Sequence, residues 1–258
     1  NDGIVDYKDF AIMAKSWLVS APIDITWVDI NDPGIGDGHE GFVGQMSKYE
    51  TTNAQYCEYL NAAKNDGLIV VYNDTVYAAN DTSYLSPYFY TYSTFNHDYS
   101  QITYSDGTFS VRIRDGYDMS NHPVVMVSLN GASTFCYYYG YRLPTEWEWQ
   151  AVADFDGSYT YGCGTTIDHG KANYEWNNPL GLSSLPYTTP VNYYLSYGYG
   201  MNDMAGNVWE WTINNVPTVN FVIRGGGWSY DVSLCTVSAR RDSSLQYIHC
   251  ETGFRVCR

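Results

Sequence analysis

Positive charge is scarce in this chain of 258 residues: 13 Lys and Arg stand against 28 Asp and Glu, a formal net charge of -15. Phosphate backbones are bound by clustered Lys and Arg. No basic run occurs here, which excludes nucleic acid as a partner. Charged residues of all kinds amount to only 16%, against roughly a quarter in ordinary globular domains. Long hydrophobic runs are also missing; nothing approaches the ~18 apolar residues of a membrane-spanning helix. Six cysteines are present without a single CxxC pair, which argues against zinc clusters and thioredoxin-like redox motifs. No leader-like segment opens the sequence, so a mature form is expected.

What is present fits a folded extracellular protein. Apolar residues make up 45%, and Tyr alone contributes 27 residues. That is ample for a core, with polarity carried by Tyr, Asn, Ser, Thr and Gly. The cysteines are then expected to serve as structural disulfides in an oxidising compartment. Excess carboxylate suits calcium, which takes oxygen ligands; solubility through net charge explains it equally well.

Two units are expected. Residues 1–20 begin Asn1-Asp2-Gly3-Ile4-Val5-Asp6-Tyr7-Lys8-Asp9-Phe10, which reads as the back half of an EF-hand-like calcium loop and resembles half of a dockerin repeat. An Asp-rich helix start is the alternative. Residues 21–258 form the second unit. An alternating strand is expected over 23–30, and a helix over 50–63 capped by Thr51 or Thr52. Residues 66–118 read as an insertion decorating the surface, with strands at 68–72 and 109–113. A strand over 122–128 ends at a cap, and a helix follows over 130–139. Another helix starts at Thr145, with Glu146 and Glu148 in its first turn favouring the helix dipole. Residues 156–200 form a long aperiodic loop that must be anchored by ions, disulfides or packing. Strands are expected at 208–212, 222–228, 236–241 and 253–256.

Several blocks together resemble a known family. They are Lys48-Tyr49-Glu50 with Thr52-Asn53; His122-Pro123-Val124; Arg142-Leu143-Pro144-Thr145-Glu146 with Trp149; Gly206-Asn207-Val208-Trp209-Glu210-Trp211; Arg224-Gly225-Gly226 with Trp228; and Gly253-Phe254-Arg255. Over residues 23–258 the chain resembles the formylglycine-generating enzyme, or sulfatase-modifying factor, superfamily. The resemblance implies an α+β, C-type-lectin-like fold with little regular secondary structure, short helices around a small twisted antiparallel sheet, and bound calcium. Implied calcium ligands are Asp203 and Glu210 through side chains and Gly206 and Val208 through carbonyls, with a second site at Asn173 and Tyr174. Read alone, Glu210 is a solvated strand residue opposite the two indoles. The resemblance also implies a Cys136–Cys257 disulfide, and Cys235 could pair with Cys250.

The chemistry of the family does not transfer intact. Its copper(I)-binding cysteine pair falls at Tyr230 and Cys235, with Gly227 and Leu234 at two further active-site positions. A phenol and one thiol do not replace a thiolate pair. Tyr230 and Cys235 remain the catalytic candidates. The five histidines, His39, His97, His122, His169 and His249, show no His-x3-His spacing, so copper and iron are not expected.

The function expected is therefore a secreted or cell-surface, calcium-stabilised binding or structural module. Its ligand surface would be Ser229, Tyr230, Asp231, Ser243, Gln246 and Tyr247, since Tyr and Ser give adaptable contact area at low entropic cost. The partner would be a protein or glycan, or further copies of the chain in a surface assembly. An oxidoreductase of the superfamily is one alternative, and a retroelement-diversified ligand-binding variable protein is another.

Overall fold

Local capping chemistry sets the three helices of the described residues. The computed structural model describes residues 23–36, 39–94, 97–213 and 221–258; the dockerin-like reading of 1–20 lies outside them. Strands β1 (Trp27–Asp32) and β2 (Phe42–Ser47) form an antiparallel hairpin. Helix α1 (Asn53–Asn65) follows, and of the two candidate threonines it is Thr52 that caps it. Its hydroxyl accepts from the Gln55 N–H at 3.2 Å while the Thr52 N–H donates to Gln55 Oε1 at 2.9 Å, a reciprocal capping box.

Residues 66–118 carry β3 (Ile69–Tyr72), β4 (Thr75–Ala78), β5 (Phe89–Tyr90), β6 (Ile102–Ser105), β7 (Thr108–Val111), β8 (Ile113–Arg114) and β9 (Tyr117–Asp118). The first three make one small sheet and the rest two hairpins. The region does more than decorate: Ile69, Val76, Phe89, Ile102 and Phe109 are buried in the largest core cluster. Helix α2 (Leu129–Tyr139) is capped by Ser128 and ended by Gly140 at φ 74°, a left-handed position that glycine takes without strain. Helix α3 (Glu146–Ala153) has a second capping box, Thr145 with Glu148. Tyr56 and Tyr59 of α1 meet Phe135 of α2 at 5.9 and 5.5 Å, and Phe254 closes on the same ring at 5.3 Å.

The site-bearing sheet is built from the C-terminal strands. Strand β10 (Trp209–Trp211) lies between β11 (Phe221–Arg224) and the parallel β13 (Thr252–Gly253), with β12 (Arg240–Ser243) outside β11. Two expected strands are corrected. Residues 122–128 make only isolated bridges, Thr52 with Pro123 and Phe89 with Val127. Proline lacks a donor, and Met126 at φ 62° breaks the extended run. The strand expected over 236–241 begins only at Arg240, because Val232–Cys235 coils into a 3-10 turn.

Residues 156–200 contain no helix or strand. Main-chain hydrogen bonds anchor them instead: Asn173 bridges Gly206, while the Glu175 and Trp176 N–H groups donate to the Tyr230 and Trp228 carbonyls, each at 2.8 Å. In this structure all six cysteines stand as buried free thiols. Cys136 and Cys257, the pairing the resemblance implies, are both buried thiols, and the charge of Cys257 adds to burial in raising the Cys136 thiol. Among the described residues no helix is long and apolar enough to cross a membrane.

His39 ties the hairpin to α3. Its Nε2 lies 2.7 Å from Asp32 Oδ2 and its Nδ1 2.7 Å from Asp154 Oδ1, the latter a close ion-pair contact out of hydrogen-bond line. Burial opposes the imidazolium, but Asp154 and Asp32 outweigh it and raise its pKa above the ordinary 6.5. The stabilisation is thus complete below 6.5 and is lost as pH rises through the raised value. The melting temperature of the wild type should fall relative to that of His39→Gln as pH goes from about 6 to about 9. Parallel curves would remove this role.

Candidate functional site

Strand β10 would by alternation send Glu210 away from the two indoles, and its sequence alone allows solvent on that side. All three residues of the strand are in fact fully buried. Glu210 Oε2 accepts from Arg255 Nε at 2.6 Å and from Trp149 Nε1 at 2.7 Å; Oε1 accepts from Arg255 Nη2 at 2.7 Å. Arg255 then donates to the carbonyls of Ser47 and Lys48 at 3.2 Å and of Asn202 at 2.9 Å. These contacts use all five guanidinium N–H groups.

Two more carboxylates share this interior. Glu50 accepts from Asn207 Nδ2 at 2.7 Å and from the Val208 N–H at 3.2 Å. Burial, then the charges of Asp203 and Glu210, push its pKa well up. Asp203 is buried in a left-handed conformation at φ 57°, and neither of its carboxylate oxygens has a hydrogen-bond partner. Burial first, with Glu210 adding and Arg255 opposing, raises its pKa to about 8. Three carboxylates and one guanidinium leave a formal surplus of two negative charges. Either two protons or one divalent cation would offset it.

The donors fit calcium in part. Asp203 offers two unengaged hard oxygens, whereas Glu210 has already given most of its lone pairs to Arg255 and Trp149. Among the described residues no three His, Cys, Asp or Glu side chains group as a metal cluster. A cation here would thus rest on Asp203, main-chain carbonyls and water. A cavity of about 350 Å³ lined in part by Asp24, Tyr49, Glu50 and Glu58 adjoins the cluster.

The second predicted ligand group lies beside the first. The Asn173 carbonyl accepts from the Asn207 N–H at 2.7 Å, and its buried Oδ1 has no partner. The Tyr174 carbonyl accepts from the Asn177 N–H at 3.0 Å. Gly206, at φ 76°, approaches so closely that a Cβ there would lie 2.3 Å from the Asn173 carbonyl oxygen; only glycine fits.

The predicted ligand surface divides. Ser229, Tyr230 and Tyr247 gather around groups that sequence reasoning missed: Arg241, His249 and Glu251. Ser229 Oγ donates to Glu251, and Arg241 donates to the Tyr230 hydroxyl. The Arg241 guanidinium lies 5.4 and 5.7 Å from the Tyr230 and Tyr247 ring centres. His249 Nδ1 lies 3.2 Å from Glu251 Oε2, and its ring stacks on Tyr247 at 5.5 Å. Asp231 instead caps its own turn, accepting from the Ser233 N–H at 2.8 Å. Gln246 donates to the Leu85 carbonyl, and Ser243 ends β12 opposite Phe221. Trp176, 58% exposed, stands edge-on to Trp228 at 5.2 Å, at the rim of this cluster. Glu251 stands two residues before Gly253-Phe254-Arg255 in the sequence, the one local signal that could have flagged it.

The two catalytic candidates have different surroundings. Tyr230 packs edge-on to Trp209 at 5.5 Å, against the largest core cluster. Cys235 is fully buried in a separate small cluster. Burial, with Cys163 adding, pushes its thiol up to about 12, so the nucleophilic thiolate is disfavoured.

Removing one partner of a buried pair leaves the other charge uncompensated, at a cost of about 3–5 kcal/mol. Glu210→Ala should lose stability on that order in urea unfolding, and Glu210→Ala/Arg255→Met should recover part of it. A loss below about 1 kcal/mol would mean that the pair is not structural.

Comparisons with known proteins agree on the fold and are partial in sequence. The serine/threonine-protein kinase pkn1 of Chlamydia caviae is 43% identical over 101 residues, covering 38% of this chain and 14% of that protein. The formylglycine-generating enzyme of Streptomyces coelicolor is 31% identical over 166 residues, 52% of each chain. The match thus spans a small fraction of the first relative and about half of the second. The crystal structure of CarF superposes with a TM-score of 0.62 over 93% of this chain and 99% of that one, at 18% identity, a likeness of fold alone. The sulfatase-modifying factor enzyme 1-like domain matches residues 40–258, and with the buried Trp-Glu-Trp strand, its arginine partner and the mixed α+β architecture in place, the chain belongs to that family.

Proposed function

We propose that this chain is a secreted, calcium-stabilised binding or surface-structural module that has kept the family's scaffold without its oxidative chemistry. The observation that carries this reading is the state of the outer turn after Trp228. Tyr230 is held by Arg241 and packed on Trp209, while Cys235 is sealed in another cluster. A phenol and a separate buried thiol do not provide the paired soft donors that copper(I) requires. What stands at the surface is a rigid aromatic and polar cluster of Ser229, Tyr230, Arg241, Tyr247 and His249, with Trp176 at its rim. Tyr, Trp and Arg are the side chains that anchor recognition surfaces. The ligand is a protein or glycan, or another copy of the chain.

Calcium is supported by the charge surplus. Asp203 would hold it, with the Gly206 and Val208 carbonyls, water and whatever Glu210 has to spare. When bound, the cation would offset the buried negative charge and fix the 203–208 turn, on which the platform of Trp209, Trp228 and Tyr230 is built. Ligand binding to the folded state alone stabilises it by about 2.7 kcal/mol at a concentration of about 100 times Kd. Chelation by EGTA should lower the melting temperature of the wild type and leave that of Asp203→Ala unmoved. Elemental analysis of the purified protein should find calcium. Stoichiometric copper or iron would overturn the reading in favour of an oxidoreductase, and a melting temperature indifferent to EGTA would remove the calcium.

A further inference from the structure

We propose that Cys163 and Cys235 are partners in a disulfide made as the chain folds in an oxidising environment, tying the 156–200 loop to the C-terminal segment. Main-chain pairing brings the two stretches together: Tyr161 bridges Thr236, and the Val237 N–H donates to the Thr160 carbonyl at 2.9 Å. Cys163 sits in the tight turn in which Tyr161 and Gly164 exchange hydrogen bonds, each 2.9 Å. Cys235 ends the 3-10 turn Val232–Cys235. Both sulfurs then fall in one small buried cluster with Ala172, Tyr174 and Ala205.

No other cysteine competes for either. Cys57, Cys136 and Cys250 lie in the largest cluster and Cys257 in the second. The Cys235–Cys250 pairing that the sequence allows is thereby set aside. Each of the two thiols makes only a long contact with a carbonyl, to Thr166 and Asp231, both 3.9 Å. Gly226 leaves room for the second sulfur, since a Cβ there would lie 2.7 Å from Cys235 Sγ. No catalytic or ligand-holding contact uses either thiol.

Burial decides when the bond can form. Cys163 is 4% exposed and Cys235 fully enclosed, so an oxidant does not reach them in the finished fold. The reaction belongs to the folding chain. The Cys163 thiolate attacks a small-molecule disulfide, forming a mixed disulfide and expelling one thiolate. The Cys235 thiolate then attacks the Cys163 sulfur and expels the second. Two protein thiols give up two protons and two electrons, and one small disulfide becomes two thiols.

The test is made on the full chain expressed in an oxidising compartment, quenched with an alkylating agent and digested without reductant. Mass spectrometry should find one linked peptide pair containing Cys163 and Cys235. In the same preparations a reductant should lower the melting temperature of the wild type more than that of Cys163→Ala/Cys235→Ala. Alkylation of both cysteines, or Cys235 linked to Cys250, overturns the proposal, as does an equal response of both proteins to reductant.

Discussion

The rest of the structure depends on one buried ion pair, Glu210 with Arg255. Each member is fully enclosed, so each lost its hydration on folding. That cost is recovered only if every donor and acceptor finds a partner. The requirement explains the connections around it. Arg255 reaches the end of β2 through Ser47 and Lys48 and the loop before β10 through Asn202. Glu210 reaches α3 through Trp149. A hairpin, a helix, a loop and the central sheet are thus brought to one point, although they are dispersed along the chain. A buried pair adds little net stability compared with an apolar substitute. Its effect here is to fix how the short elements assemble, since no long helix or wide sheet does so.

The same pair sets the electrostatics of its surroundings. One guanidinium cannot neutralise three carboxylates, and Glu50 and Asp203 are left above the ordinary carboxylate range. Asn207 spreads part of the cost. It donates to Glu50, its own N–H reaches the Asn173 carbonyl, and its carbonyl receives Trp228. Asp203 receives no such help. Its strained, left-handed backbone and unengaged oxygens concentrate the imbalance at one residue, where a cation would do most.

Local physics was legible in the sequence and long-range pairing was not. Thr145 with Glu148, Ser128 and Thr52 were readable as caps because a cap needs only its own next three residues. The family blocks gave the fold because they are short segments whose order survives without knowledge of contacts. The strand expected over 122–128 failed where a proline and one left-handed residue outweighed apolar content. The choice between a solvated and a ligating Glu210 could not be made from Trp-Glu-Trp, because its partner Arg255 stands 45 residues away. Arg241, His249 and Glu251 were missed for the same reason. They converge only once β12 and β13 flank the sheet.

Scaffold and surface are separate in this fold. Trp149, Glu210, Arg224 and Arg255 all point into the interior and are almost wholly buried. Arg224 donates to the Ala239 carbonyl and to Gln150, with its guanidinium 5.5 Å from the Trp149 ring. Substituting any of these would leave a buried charge or cavity. Ser229, Tyr230 and Leu234, by contrast, are only partly buried, on the turn that follows Trp228. Ser229 and Tyr230 bond Glu251 and Arg241 and do not enter the Glu210–Arg255 network, so they can change while that network stays fixed. A rigid platform beneath a replaceable turn would let the turn change without disturbing the fold. In this chain the turn carries Tyr230 packed against the largest core cluster and Cys235 in a separate small one.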